Sequence, residues 1–311
     1  MVGDALPDEC PCCGCRDFRP SFEAIGHRFE RCGSCGYQRM ADPLDPQSVD
    51  RQYEEDRAHG EQAYQEHEIN LERFDVILGR IEAIVSPGRF LDVGCSLGTS
   101  LVAARKRGWE VKGIELSRPV AEWGRENLDL DIRSVHLAEA GFEEGSFDAI
   151  LMNHVLEHVS DPAGLVATCQ SLLRPGGVIY QSLPNHRSLK GRLFGGAWTY
   201  GVVPQHLSHF DKRSLRRLLE RQGFSVRRSW THSDARDPHL LVSFMGRIGR
   251  MDKLSEWLGR PGQEGLDETA YVRFITDRRW AHFVSQRLWP ARFCRWTGLG
   301  EDLHMLASKV G

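Results

Sequence analysis

Between residues 89 and 183, short apolar runs alternate with helical stretches, and no other feature of the chain narrows its fold as sharply. Apolar, β-branched runs at 89–93, 110–115, 131–135, 147–153 and 178–183 read as strands, and the spans 99–107, 118–127 and 162–173 read as helices. Strands separated by helices pair side by side in parallel, which buries both faces of the sheet and requires helices on each. Sheets of this kind take ligands beyond the carboxyl ends of their strands, where the strand order reverses. The expected fold is therefore α/β.

A second constraint is local. Six of the nine cysteines stand in the first thirty-five residues. Cys10 and Cys13, or Cys12 and Cys15, combine with Cys32 and Cys35 to give the spacing of a four-thiolate zinc site. The first register is preferred, because Gly14 and Gly36 directly follow its second thiolates and tolerate the turn that such a site needs. Cys12 and Cys15 are then spare thiols. A ribbon this short buries too little apolar surface to fold alone, so zinc is expected to supply its folding free energy. A disulfide framework is the alternative that the clustering disfavours, since nothing else marks a secreted chain.

At 311 residues, with 41% hydrophobic and 27% charged residues, the chain is globular and large enough for one substantial domain with additions. No basic segment precedes an apolar leader and no apolar run is long enough to span a bilayer, so a cytoplasmic address is expected. The formal charge of −3 argues against general polyanion binding. Prolines 43 and 46 mark a linker, and Leu71, Phe74, Leu78, Ile81 and Val85 place one apolar stripe on a helix over 67–85.

The chemistry is expected in the turn 92–98. A hydrophobic strand runs into Asp92, Gly94, Cys95 and Gly98 and opens a helix. The glycine spacing that cradles a pyrophosphate is absent, and a carboxylate at the mouth would repel one. Asp92 suits an ammonium group instead. Glu115, at the end of the next strand, suits the two hydroxyls of a ribose. A ligand with an ammonium and a ribose but no phosphates is S-adenosylmethionine.

The segments Asp92-Val-Gly-Cys-Ser-Leu-Gly98, Gly113-Ile-Glu-Leu-Ser117, Phe147-Asp-Ala-Ile, His154-Val-Leu-Glu-His158, Leu173-Arg-Pro-Gly-Gly177 and Pro204-Gln-His-Leu-Ser-His-Phe210 resemble successive motifs of class I S-adenosylmethionine-dependent methyltransferases. The closest likeness is to the bacterial group that carries an N-terminal zinc-binding segment. The resemblance implies a Rossmann-like sheet, with Asp92, Gly94 and Gly98 around the methionine moiety, Glu115 at the ribose and Leu116 on the adenine. The resemblance covers roughly residues 67–231 and the final strand, and the expected domains are a zinc ribbon over 1–42, a linker and N-terminal helices over 43–88, and a methyltransferase domain over 89–311. Ser96 stands where many members have glycine, which is tolerable if the backbone there avoids positive φ. His136 stands where an acid often meets the adenine.

Asn153 and His154 follow the fourth strand, where cofactor and acceptor should meet. His154, His158 and His206 are the general-base candidates for an acceptor hydroxyl, with His209 beside them. The blander alternative has His154 shaping the cofactor pocket while Glu157 and His158 cap the next helix. A metal held by Glu157 and His158, resembling that of ubiquinone-pathway O-methyltransferases, is a further alternative. The long segment 183–210, with Asn185, Leu189, Phe194, Trp198 and Tyr200, reads as an acceptor wall or lid.

Residues 224–230 and 302–309 read as the last two strands, so about 232–300 form an insert. Within it, the six arginines of 273–295 interleave with aromatic residues. Three roles fit that pattern: a helical cover for the acceptor, a membrane-surface contact that reaches a lipid-linked acceptor, and a grip on RNA. The expected function is methyl transfer to a small-molecule, saccharide-type or lipid-linked acceptor, with O-methylation ahead of C-methylation. RNA methylation and a silent cofactor-binding scaffold are the rivals.

Overall fold

The structure is a computed structural model that describes residues 8–24, 26–42, 67–198, 205–233 and 297–310. The arginine-rich segment, and with it the expectations of an acceptor cover, a membrane contact or an RNA grip, lies outside the described residues, as does Tyr200.

A seven-stranded sheet forms the centre of the molecule, in the order β10 (Phe224–His232), β11 (Asp302–Lys309), β8 (Leu173–Pro184), β7 (Phe147–Asn153), β4 (Arg89–Val93), β5 (Glu110–Ile114) and β6 (Ile132–Arg133). Pairings from β8 through β6 are parallel, and β11 is antiparallel to both β8 and β10. The chain goes from β4 outward to β5 and β6, then crosses back to β7 and β8. The order therefore reverses between β4 and β7, which opens a crevice at their carboxyl ends.

Helices cover both faces. On one, Leu78 and Ile81 of α1 (His67–Glu82) and Leu101 and Ala104 of α2 (Thr99–Lys106) pack with Phe90, Leu151 and Tyr180. On the other, Val166 of α4 (Pro162–Leu172) and Leu215 and Leu218 of α6 (Lys212–Arg221) pack with Leu91, Ile150 and Ile179. The helix α3 (Arg118–Leu128) carries the chain from β5 to β6. Strand β8 begins at Leu173 and runs through Pro-Gly-Gly, earlier than its apolar run suggests, because exposed positions 174–176 pass beyond the covered sheet before the buried stretch starts.

The N-terminal cysteine region forms β1 (Phe18–Ala24), β2 (His27–Cys32) and β3 (Gln38–Met40), an antiparallel meander. It does not end there. A two-residue strand, β9 (Ser208–His209), from the far side of the sequence pairs with β3 and completes a four-stranded sheet. The segment after β8 holds a short helix, α5 (Leu189–Phe194), capped by Ser188, where the sequence suggested only a long loop.

Candidate functional site

Strand β4 turns sharply as it leaves the sheet. The N–H groups of Gly94 and Cys95 both donate to the carbonyl of Ile114, at 2.8 and 2.9 Å, which pins the turn to β5. Gly94 has φ 75 and a Cβ there would sit 2.6 Å from Val155 Cγ2, so only glycine fits at this close approach. Ser96 adopts φ 50. This corrects the sequence expectation that its backbone would avoid positive φ: the tight turn demands the left-handed conformation, and serine accepts it at a cost.

The reason for that turn is visible in Glu115. One carboxylate oxygen accepts from the Ser96 N–H at 2.9 Å and the other from the Ser117 N–H at 2.8 Å. The acid is thus held by two backbone donors, one from the turn after β4 and one from the start of α3. A cleft of about 570 Å³ opens beside it, lined among others by Gly94, Glu115, Leu116, His136, His154 and His158. That volume suits a nucleoside-sized ligand.

Asp92 lies behind the turn and is 2% exposed. One oxygen accepts from the Ser100 hydroxyl. The other has no partner among the described residues. Burial pushes its carboxyl up to about 8, against the pull of Ser100 and with the help of the Glu115 charge. Asp92 does not itself line the cleft, but it lies directly behind Val93 and Gly94, which do. A buried acid with one oxygen unpartnered among the described residues fits a cationic group. Cys95, Gly98 and Asn153 are not in the cleft wall. Gly98, at φ 87, starts α2, and the Oδ1 atom of Asn153 has no partner among the described residues.

His154 has φ 57, rare for a residue with a side chain. Its N–H donates to the Ser182 carbonyl at 2.8 Å, which holds the strained backbone in place. Its Nδ1 is 3.1 Å from Glu157 Oε1, and its Nε2 is 3.7 Å from Asp302 Oδ1. Burial pulls the imidazole pKa down, but the bond to Glu157 and the charges of Glu157 and Asp302 outweigh it, so the net shift is upward. Burial also opposes ionisation of Glu157, yet His154 and its neighbours hold that acid at about 2.

His158 accepts a different role. Its Nδ1 is 3.0 Å from the Gln205 carbonyl, and its ring meets that of His206 edge-on at 4.6 Å. Burial and the neighbouring His206 push His158 down to about 3. Ligand atoms of Glu157, His158 and His206 lie within 4.8 Å of one another. Neither Glu157 nor His158 caps the next helix. Asp161 does, accepting from the Gly164 N–H at 2.9 Å, because it alone stands directly before the first turn of α4. His206 meets His158 edge-on and lies outside the cleft wall, and His209 packs against the stacked pair Phe22 and Phe29 of the ribbon. Asp302 is the residue that sequence reasoning missed, since it arrives from β11, at a distance no local pattern records. In the segment after β8, Trp198 and Phe194 are buried and Asn185 donates to the Gly300 carbonyl at 2.8 Å, so these side chains anchor the segment.

In the ribbon, Cys10, Cys13, Cys32 and Cys35 bring their sulfurs within 4.8 Å of one another. The pairs Cys10–Cys35 and Cys13–Cys32 are 3.5 and 3.6 Å apart. A tetrahedral zinc with bonds of about 2.3 Å has sulfur–sulfur edges of roughly 3.8 Å, so the set fits that ion. Cys12 is buried beside them but stands outside the four, and burial pushes its thiol well up. Cys10 falls to about 5, chiefly through hydrogen bonds from Cys12 and Cys35.

A reversed parallel sheet with an acid held at the tip of its second strand, facing a nucleoside-sized cleft, defines a nucleoside-binding α/β protein of the Rossmann-like class. A family model described as a methyltransferase domain matches residues 57–229, more than half of the chain, and the chain belongs to that family. The ubiquinone biosynthesis O-methyltransferase of Ralstonia nicotianae is 32% identical over 164 residues, covering 47% of this chain and 64% of its own length. That of Nitrosococcus oceani is 37% identical over 148 residues, covering 45% and 61%. The chain thus spans just under two thirds of these relatives. A SAM-dependent methyltransferase of Thermotoga maritima superposes with a TM-score of 0.52 at 16% identity, covering 84% of this chain and 99% of its own, a likeness of fold.

Proposed function

We propose that the chain transfers a methyl group from S-adenosylmethionine to a hydroxyl of a small-molecule acceptor, with His154 as the general base. The observation that carries this reading is that His154, paired with the buried Glu157, lines the same cleft as Glu115. S-adenosylmethionine supplies an electrophilic methyl on a sulfonium. Glu115 would hold its ribose, Leu116 would pack on its adenine, and Asp92, with the turn 92–98, would face its ammonium. The acceptor oxygen forms the new bond to the methyl carbon as the carbon–sulfur bond breaks, and His154 Nε2 takes the acceptor proton. Glu157, holding Nδ1–H, and Asp302, beside Nε2, both favour the imidazolium that results.

The curated relatives, which are O-methyltransferases by name, support an O-methyl acceptor in preference to carbon or RNA. Whether that acceptor is a phenol, a sugar or a lipid-linked molecule is decided by experiment: labelled methyl transfer into fractionated cell extract should place label in an alkali-stable ether of a small molecule. Label in RNA would overturn the reading. No helix among the described residues is long and apolar enough to cross a membrane. The four ribbon cysteines are proposed to hold a structural zinc, supported by their convergence and by the absence of an open coordination position in a four-thiolate set.

A further inference from the structure

The ribbon does more than hang from the catalytic sheet. Its strand β3 takes β9 as a partner, with Gln38 opposite His209 and Arg39 opposite Ser208. The Met40 N–H then donates to the Leu207 carbonyl at 2.9 Å. Tyr37 is buried, its hydroxyl 2.5 Å from Ser208 Oγ and its ring 5.1 Å from that of Phe210. Below it, Cys10, Cys32 and Cys35 share one core with Phe210, Leu215 and Leu219. At the other end of the same short segment, Leu207 lines the cleft and the Gln205 carbonyl engages His158. Three consecutive links therefore run from the cysteine cluster, through Tyr37 and β9, to one wall of the cleft.

We propose that Tyr37 is a positioning residue. By clamping Ser208, the ribbon sets the height of the 205–208 segment, and with it the ring of His158 and the Leu207 side of the ligand cleft. A strand of two residues makes too few backbone bonds to hold a register by itself, so the hydroxyl bond and the Met40 bond carry the alignment. The thiolate cluster acts at one remove, because Tyr37 follows Cys35 by two residues and the Cys32 N–H donates to the Tyr37 carbonyl at 2.8 Å. The ribbon is on this account an internal brace of its own chain's active site. The ligand part of the proposal rests on the cleft being the S-adenosylmethionine pocket; the histidine part does not.

The test is a double-mutant cycle in the full chain with Tyr37→Phe and Ser208→Ala. Tyr37→Phe keeps the ring against Phe210 and removes only the hydroxyl, so folding is preserved. Two readouts are taken: the imidazole proton NMR signals of His158 and His206, assigned with His158→Gln and His206→Gln, and calorimetric affinity for S-adenosylhomocysteine. The expected result is that each single variant shifts both histidine signals and weakens binding severalfold, and that the double variant is no worse than either single one. Chelation of metal from the wild-type chain should move the same two signals while the helical circular dichroism of the main sheet and its helices persists. The proposal is overturned if the histidine signals stay in place in Tyr37→Phe, even where the melting temperature falls, or if the two variants' effects simply add. Failure of the wild-type chain to bind S-adenosylhomocysteine would sink the pocket assignment, while the histidine signals would still decide the brace.

Discussion

Replacing Glu115 by Gln tests the cleft at its best-defined point. Both carboxylate oxygens accept backbone N–H bonds, from Ser96 at 2.9 Å and Ser117 at 2.8 Å. A glutamine keeps one acceptor oxygen and turns its NH2 toward the other N–H, so one donor loses its partner. An unmet buried donor costs about 1–3 kcal/mol; water can reach this half-buried site, so about 1–2 kcal/mol of folding stability is expected to go. The ligand loses more. A hydrogen bond to a charged acceptor contributes about 1.5–3 kcal/mol, which at about 1.4 kcal/mol per decade is a roughly tenfold to hundredfold weaker affinity. Calorimetric titration of wild type and Glu115→Gln with S-adenosylhomocysteine, beside thermal unfolding of each, measures both effects. Affinity within twofold of wild type in a folded Glu115→Gln protein would falsify the ribose assignment.

Other consequences are as direct. Only neutral His154 can accept a proton, so transfer should rise with pH through its elevated pKa; in Glu157→Gln burial dominates instead, and the rising limb of the pH–rate profile should move to lower pH. A limb at unchanged pH would remove Glu157 from that role. Ser96→Gly relieves a left-handed serine and deletes a hydroxyl that has no partner among the described residues, so a gain of about 0.5–1 kcal/mol is expected in denaturant unfolding after glycine's chain-entropy cost. A loss of stability would show that the Ser96 side chain contributes a contact. Cys13→Ser should abolish stoichiometric zinc while Cys12→Ser keeps it, by metal analysis; the reverse pattern would move the site to the other register.

The catalytic sheet was legible because its strands are continuous apolar runs. Strands β4, β7 and β11 begin and end at the residues that the pattern indicates, and helix α3 differs by one residue. A run such as Phe-Leu-Asp-Val between charged turns has one stable home, a buried parallel strand. The turn at Gly94 and the acid at Glu115 were legible for a related reason, since close backbone approach and a carboxylate at a strand tip leave few chemical uses. What escaped is non-local. Ser208 and His209 carry no strand signature, and two residues become β9 only because the edge of β3 waits for them. Asp302 stands 148 residues beyond His154 and reaches it through the antiparallel pairing of β11 with β8. The strain at Ser96 was misjudged because torsion angles follow from the bonds a turn must make, and those to Glu115 are invisible along the chain.

A crystal structure of the full chain with S-adenosylhomocysteine tests the central claim most directly. The ribose should lie on Glu115, the ammonium should point toward Asp92, and the thioether sulfur should face His154 across the cleft. Ligand bound elsewhere, or with its ribose turned away from Glu115, would contradict the account.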